Sequence, residues 1–427
     1  MERNSAIYQT YVKILQRELL PVMGCTEPIA IAFCAAKARE VLGLLPERVL
    51  LEASGNVIKN VKSVIIPHTG GKKGLEAAAA IGIVAGDAAK DLQVLCNVQE
   101  EDLVKLDQYL HSASIEVKPA QSDLVLDICV SVFAAGQSAR VRICHQHNGI
   151  VLIEHNGKIL LQAEPTAHTN KSDELDYQSL TVENILDFAK TVKIEDVREV
   201  LERQIQYNTA IAEEGLKNDY GANIGKVLLQ ADGTAVRNRA RAKTAAASDA
   251  RMNGCDLPVV INSGSGNQGL VVSIPVIEYH RELGLPQEKL YRALVISNLV
   301  ALHLKTGMGR LSAYCGAVSA GVSAGAAIAY LLGGDMEEIA HTLVNSLAIA
   351  SGMVCDGAKA SCAAKIAVAV DAGLLGCEMF REGQQFYDGD GLVLKGVENT
   401  IRNFSILARE GMRETDKTII GLMTGYC

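Results

Sequence analysis

Three cysteines stand in one kind of setting. Cys315, Cys355 and Cys362 lie among small residues, as Ser312-Ala313-Tyr314-Cys315-Gly316, Cys355-Asp356-Gly357 and Ala360-Ser361-Cys362, each near an expected helix terminus. Thiolates are soft metal ligands. Small neighbours leave room for a bulky inorganic group, and helix-terminal amides can donate hydrogen bonds to its sulfides. The Cys-x6-Cys spacing of the last two is neither a Cys-x2-Cys zinc knuckle nor a ferredoxin run, so packing as small apolar core residues stays open beside metal ligation. Cys25, in Gly24-Cys25-Thr26-Glu27-Pro28, falls just before a helix start. There, unpaired N–H groups and the positive dipole end favour a thiolate. A base, a nucleophile and a ligand all fit that position, as does a buried thiol beside a cap formed by Thr26.

Anion binding is the second chemistry on offer. Asn262-Ser263-Gly264-Ser265-Gly266-Asn267-Gln268-Gly269 follows an apolar strand pattern at Pro258–Ile261 and precedes a helix. Strand, glycine loop and helix together present backbone amides to an anion. Without the Lys-Ser/Thr of a phosphate-binding loop, a small carboxylate suits it better than a nucleotide. Thr69-Gly70-Gly71-Lys72-Lys73-Gly74 follows the same logic with two lysines added; a solvated turn fits it equally well. Cys144-His145-Gln146-His147 reads as strand, with both histidines on one face and His155 across a hairpin. Zinc could be held there, but ordinary strand residues are the stronger reading. Cys34, Cys96, Cys129, Cys255 and Cys377 read as core, and Cys427 is a terminal thiol within reach of a metal only if the tail folds back.

The elements that must position these groups follow from hydrophobic spacing. Ile7, Tyr11, Val12, Leu15 and Leu19 predict a helix over Ser5–Leu20, then a loop at Pro21–Glu27 and a second helix with Pro28 in its first turn and Gly43 at its end. Arg48–Ala53 and Ser63–Pro67 read as strands. Leu124–Leu161 reads as antiparallel sheet, with Asn156-Gly157 as a two-residue hairpin turn. The polar run Thr166–Glu174 reads as a surface loop or boundary, and from Thr181 onward the pattern is mostly helical. The expected fold class is α+β: residues 1–175 form an α/β half with antiparallel strands, and residues 176–427 a largely helical half carrying the cysteine trio.

Composition narrows the function. The 427 residues are 48% hydrophobic and 21% charged, which supports a large core, and the net charge of −8 argues against nucleic acid as a partner. Aromatics are only 4%, with no Trp and 38 Gly, so backbones must pack closely. The 11 cysteines lack the regular spacing of a secreted scaffold, and Met1–Thr10 holds no apolar signal segment; a reducing cytoplasm is expected. Leu311–Gly334 is 24 residues without a charge. Its Ala, Gly and Ser transfer weakly to lipid, so a buried helix is expected rather than a membrane span.

Taken together, the Gly24–Pro28 segment, the Thr69–Gly74 turn, the Asn262–Gly269 loop and Cys315, Cys355 and Cys362 resemble the L-cysteine desulfidases. These are oxygen-sensitive iron–sulfur lyases related to the α chain of bacterial L-serine dehydratase. The desulfidase resemblance spans nearly the whole chain, and the dehydratase one about residues 200–375. The last two cysteines are closer together than in the dehydratases, which favours the desulfidase branch. The resemblance implies a [4Fe–4S] cluster on Cys315, Cys355 and Cys362 with one iron open. It gives Cys25 the role of catalytic base or displaceable fourth ligand. It places the amino-acid substrate, L-cysteine or alternatively L-serine, against Thr26, Thr69, Gly70, Gly71, Ser263, Gly264, Ser265, Gly266 and Asn267. A homodimer is compatible with it, while a membrane or nucleic-acid partner is not expected.

Overall fold

The computed structural model describes residues 1–163, 175–309 and 311–424; the expected loop at Thr166–Glu174 and Cys427 lie outside them. Helix α1 (Ala6–Glu18) starts where the Ser5 hydroxyl accepts from the Tyr8 N–H at 3.3 Å. The expected loop after it is in part a strand: β1 (Pro21–Met23) pairs antiparallel with β8 (Pro258–Val260), Pro21 opposite Val260. Three residues are too few for a hydrophobic period to announce a strand, and only the distant partner makes it one. Helix α2 (Thr26–Leu42) follows and ends on Gly43, whose left-handed φ of 73° closes the cap.

The N-terminal half is built on a six-stranded sheet ordered β3-β2-β4-β5-β6-β7. Its strands are β2 (Arg48–Ala53), β3 (Ser114–Pro119), β4 (Asp127–Ala134), β5 (Gln137–Cys144), β6 (Ile150–His155) and β7 (Lys158–Gln162). The β2–β3 pair is parallel and every other pair antiparallel. Asn156 and Gly157 turn the β6–β7 hairpin with φ of 50° and 77°, as the dipeptide predicted. Ser63–Pro67 forms only isolated bridges, because the chain folds straight back and the Ile66 N–H donates to the Lys72 carbonyl. Helices α3 (Gly55–Val61), α4 (Leu75–Ala85) and α5 (Glu100–Ser112) complete this half. The alanines of α4 bring it hard against α2: a Cβ on Gly82 would stand 2.2 Å from the Ala32 carbonyl oxygen.

The remainder is helical: α6 (Val182–Thr191), α7 (Arg198–Lys217), α8 (Ile224–Asp232), α9 (Val236–Met252), α10 (Gly266–Leu283), α11 (Gln287–Met308), α12 (Gly316–Leu331), α13 (Met336–Ala350), α14 (Cys362–Arg381), α15 (Val397–Ile406) and α16 (Arg413–Thr424). The fold is therefore α+β, as expected. The uncharged stretch is α12, buried along its length. It touches α14 through glycines: a Cβ on Gly321 would meet the Ala369 carbonyl oxygen at 2.2 Å, and one on Gly325 the Gly373 oxygen at 2.4 Å. Among the described residues, no helix is long and apolar enough to cross a membrane.

Candidate active site

Two short backbone pairings between distant segments assemble the site. The β1–β8 ladder lays the segment entering Cys25 beside the segment entering the Asn262–Gly269 loop. Gly24, at φ 59°, allows the chain to turn there, and a Cβ on it would strike Pro67 at 2.3 Å. The second pairing is the bridge between Tyr314 and Val354. The Cys315 N–H donates to the Met353 carbonyl at 3.0 Å and the Cys355 N–H to that of Ala313 at 2.6 Å, which sets two cysteines side by side. Cys315 directly precedes α12, and Cys362 opens α14. The third thiol thus arrives from another helix start.

All four cysteines, Cys25, Cys315, Cys355 and Cys362, line a single cavity of about 410 Å³, together with Ser263, Gly264, Ser265 and Asn267. Ser263 and Gly264 form a tight turn with φ of 50° and 76°, closed by reciprocal backbone bonds between Asn262 and Ser265. Ser265 then caps α10, whose first amides have no carbonyl within the helix to pair with. The loop does carry the spacing Gly264-x-Gly266-x-x-Gly269 of dinucleotide folds. Its strand, however, sits in a two-stranded antiparallel sheet rather than a parallel βαβ unit, so the mechanical context for a dinucleotide is missing.

Other expected residues fall elsewhere. Gly266 does not line the cavity but lies directly behind it, against Arg251. Thr26 is buried in the first turn of α2 with Oγ1 unpartnered, and likewise does not line the cavity. Thr69, Gly70 and Gly71 stand apart from it. The Thr69 hydroxyl donates to the Ile66 carbonyl at 2.7 Å and accepts from the Lys72 N–H at 3.1 Å, holding its own turn, and Lys72 pairs with Asp107. Strand β5 ends at Cys144, so His145 and His147 sit in a turn rather than on a strand face; both line the cavity, whereas His155 is on β6. Cys96 is exposed, unlike Cys34, Cys129, Cys255 and Cys377, which are buried as core.

Electrostatics correct one expectation. The Cys25 thiol is buried and donates to Glu27 Oε2 at 3.3 Å; burial, with the Glu27 charge next, pushes its pKa up rather than down. The dipole of α2 does not outweigh that loss of water, so Cys25 keeps its proton until an electrophile or cation takes its place. Burial works to raise Glu27 as well. His147, whose Nε2 stands 3.8 Å away, and the Cys25 thiol nevertheless hold its pKa near about 2. Cys315 is pushed up to about 12 by burial and then by Cys355, and Cys362 is raised by burial.

Three thiols opening on one cavity are the donor set that an iron–sulfur cluster takes; among the described residues no group of three or more His, Cys, Asp or Glu is placed to hold a single metal ion. Gly316, Ala317, Gly357 and Ala358 line that space beside the thiols. Five of its lining residues hold buried polar atoms without a hydrogen-bond partner: Asn56 Oδ1, His147 Nε2 (which has only the longer contact to Glu27), Arg251 Nε, Gln268 Oε1 and Tyr314 Oη. Buried polar groups are normally satisfied, and these five line a cavity with room for a small ligand that could supply the partners.

Sequence reasoning missed Lys59, Arg251 and Lys365 in the wall, and included Gln268 only as part of the glycine loop. Lys59 is 1% exposed, with Nζ 2.6 Å from Asp416 on α16 and 3.5 Å from the Cys355 carbonyl. Lys365 donates to the Val354 carbonyl at 2.8 Å and pairs with Asp356. One signal was available for Arg251: it lies four residues after Ala247, on the face of α9 that the alanine run marks as buried.

Known proteins of similar sequence place the chain in a family. Residues 89–421 match the serine dehydratase alpha chain family, a wider span than the expected 200–375. A UPF0597 protein of Desulfitobacterium hafniense is 56% identical over 100% of this chain and 99% of its own length. One from Lachnoclostridium phytofermentans is 51% identical over 98% and 100%, and one from Treponema denticola 45% identical over 99% of each chain.

Proposed function

Since this chain belongs to the serine dehydratase alpha chain family and to the UPF0597 proteins, and is accordingly a lyase-type enzyme, we propose that it is an iron–sulfur-dependent L-cysteine desulfidase. It converts L-cysteine and water to pyruvate, ammonia and hydrogen sulfide. The observation that supports this most is the meeting of Cys315, Cys355 and Cys362, from three separate segments, in the cavity that also receives Cys25 and the Ser263–Asn267 loop. Bound through the three thiolates, a [4Fe–4S] cluster supplies a Lewis acid for the leaving sulfur.

The chain's own residues do the rest. Amides at the start of α10, with Ser263 and Ser265, hold the substrate carboxylate and offset charge as the α-carbon loses its proton. Cys25 is the nearby thiol, serving as base or as a displaceable fourth ligand. Its high pKa fits the second role, because coordination, unlike bulk solvent, removes a thiol proton at neutral pH. Breaking Cβ–S then leaves aminoacrylate, which tautomerises and hydrolyses to pyruvate and ammonia without further help. At about 410 Å³ the cavity, lined beside the trio by Tyr314 and Ala317, suits a small substrate. An oxygen-labile centre of this kind belongs in a reducing cytoplasm.

The family's own description favours one alternative, L-serine dehydration on the same centre, in which hydroxide leaves instead of sulfide. The test is anaerobic reconstitution, iron and sulfide quantification, and a pyruvate assay on both amino acids. The proposal expects a bound cluster and a higher kcat/KM for L-cysteine. A preference for L-serine selects the dehydratase, and a cluster-loaded protein that forms no pyruvate from either sinks both.

A further inference from the structure

A guanidinium does not shed its proton in a protein, so burying one without an anion carries a heavy desolvation cost. Arg251 is in that position. It is 2% exposed, its Nη1 donates to Asn267 Oδ1 at 3.1 Å, and its buried Nε has no partner. Among the described residues, no carboxylate lies within 4 Å of it, although two other cations in the cavity wall are paired, Lys59 with Asp416 and Lys365 with Asp356. Room for the guanidinium is made by a missing side chain: a Cβ on Gly266 would stand 2.2 Å from its Nε and 2.6 Å from its Cζ. Arg251 therefore lies in the wall directly behind the Ser263–Asn267 loop, and its charge reaches Cys25.

We propose that Arg251 is the substrate-recognition residue, its donor fork receiving the α-carboxylate, so that the cavity takes small α-amino acids with a free carboxylate and rejects amides, esters and simple thiols. This rests on the desulfidase or dehydratase reading only for the identity of the amino acid. A planar fork suits a carboxylate as a point charge does not, and a buried cation left without its anion penalises every uncharged analogue.

The test compares sulfide release from L-cysteine and from L-cysteinamide by reconstituted wild type, Arg251→Gln and Gly266→Ala. Wild type strongly prefers the carboxylate. Arg251→Gln raises KM for L-cysteine about 100-fold, the order expected for removing one partner of a buried charge pair, and leaves L-cysteinamide nearly unchanged. Gly266→Ala gives the same collapse of preference with the charge retained, since it only displaces the guanidinium. A second readout needs no turnover: L-alanine raises the melting temperature of wild type, alaninamide does not, and both substitutions abolish the shift. If L-cysteine and L-serine yield no pyruvate but L-alanine still stabilises wild type and not Arg251→Gln, the carboxylate site stands and the lyase reading falls. Should Arg251→Gln fail to fold, Arg251→Lys, which keeps the charge and loses the fork, carries the comparison. Undiminished preference for the carboxylate in these variants, or an L-alanine shift indifferent to Arg251, overturns the proposal.

Discussion

The four cavity cysteines differ in how they are held, and the difference predicts different losses. Cys315 and Cys355 are tied through their own backbone N–H groups to the bridge that joins their segments, so removing either sulfur leaves the frame intact. Cys355→Ala should fold normally yet lose the visible absorbance of the cluster together with all turnover; a coloured, active variant would end its assignment as a ligand. Cys25→Ser replaces a thiol that caps nothing, since no side-chain cap bond is made at the start of α2. Its three-iron-ligand set remains, so the colour should persist while turnover falls by at least about 100-fold, the range of a lost acid–base or positioning group. Equal activity in wild type and Cys25→Ser would remove Cys25 from the chemistry. The types of these residues were visible in the sequence. Arg251 and Lys365 were not, because a polar residue inside a helical pattern looks the same whether it faces water or a cavity.

At the level of elements, glycine and alanine replace aromatic bulk. The α12–α14 contact is made backbone to backbone, and both helices begin at cavity cysteines, Cys315 and Cys362. Their spacing therefore sets the distance between two sulfurs. Gly321→Val, at a site where even a Cβ would lie 2.2 Å from a carbonyl oxygen, must push the helices apart. We expect a destabilisation of about 3 kcal/mol, typical of overpacking against an immovable neighbour, and a lower iron content per chain at permissive temperature. Chemical denaturation and iron assay check this, and an unchanged midpoint with full iron would show that the helices have slack. Long periodic helices and the Asn156-Gly157 hairpin were legible because their signals are local. Strand β1 was not: its pairing with β8 joins segments more than 230 residues apart.

For the molecule as a whole, pH acts through buried carboxyls of opposite tendency. Asp249 on α9 is raised to about 6 by burial, which outweighs the backbone N–H groups of Gly225 and Ile224 at the start of α8. Glu278 moves the other way: Lys243 and Arg239 outweigh the burial that would raise it. A carboxyl raised above its unfolded value of 3.8 contributes stability below that pH and loses it as pH climbs through about 6. Asp249→Asn should therefore gain on wild type between about pH 4 and 6, with a constant difference above about pH 7, measured by urea denaturation across that range. A difference that does not vary with pH would mean Asp249 titrates as in water. From sequence alone came the α+β class, the buried nature of the uncharged stretch and the residue types able to ligate a cluster, since each depends on local spacing or on composition. Tertiary structure alone decided that Thr69–Gly71 stands outside the cavity, that β1 and β8 bring Cys25 to the glycine loop, and that Arg251 faces an unpaired space. Those facts depend on which distant segments share water-free volume, and no local pattern encodes that.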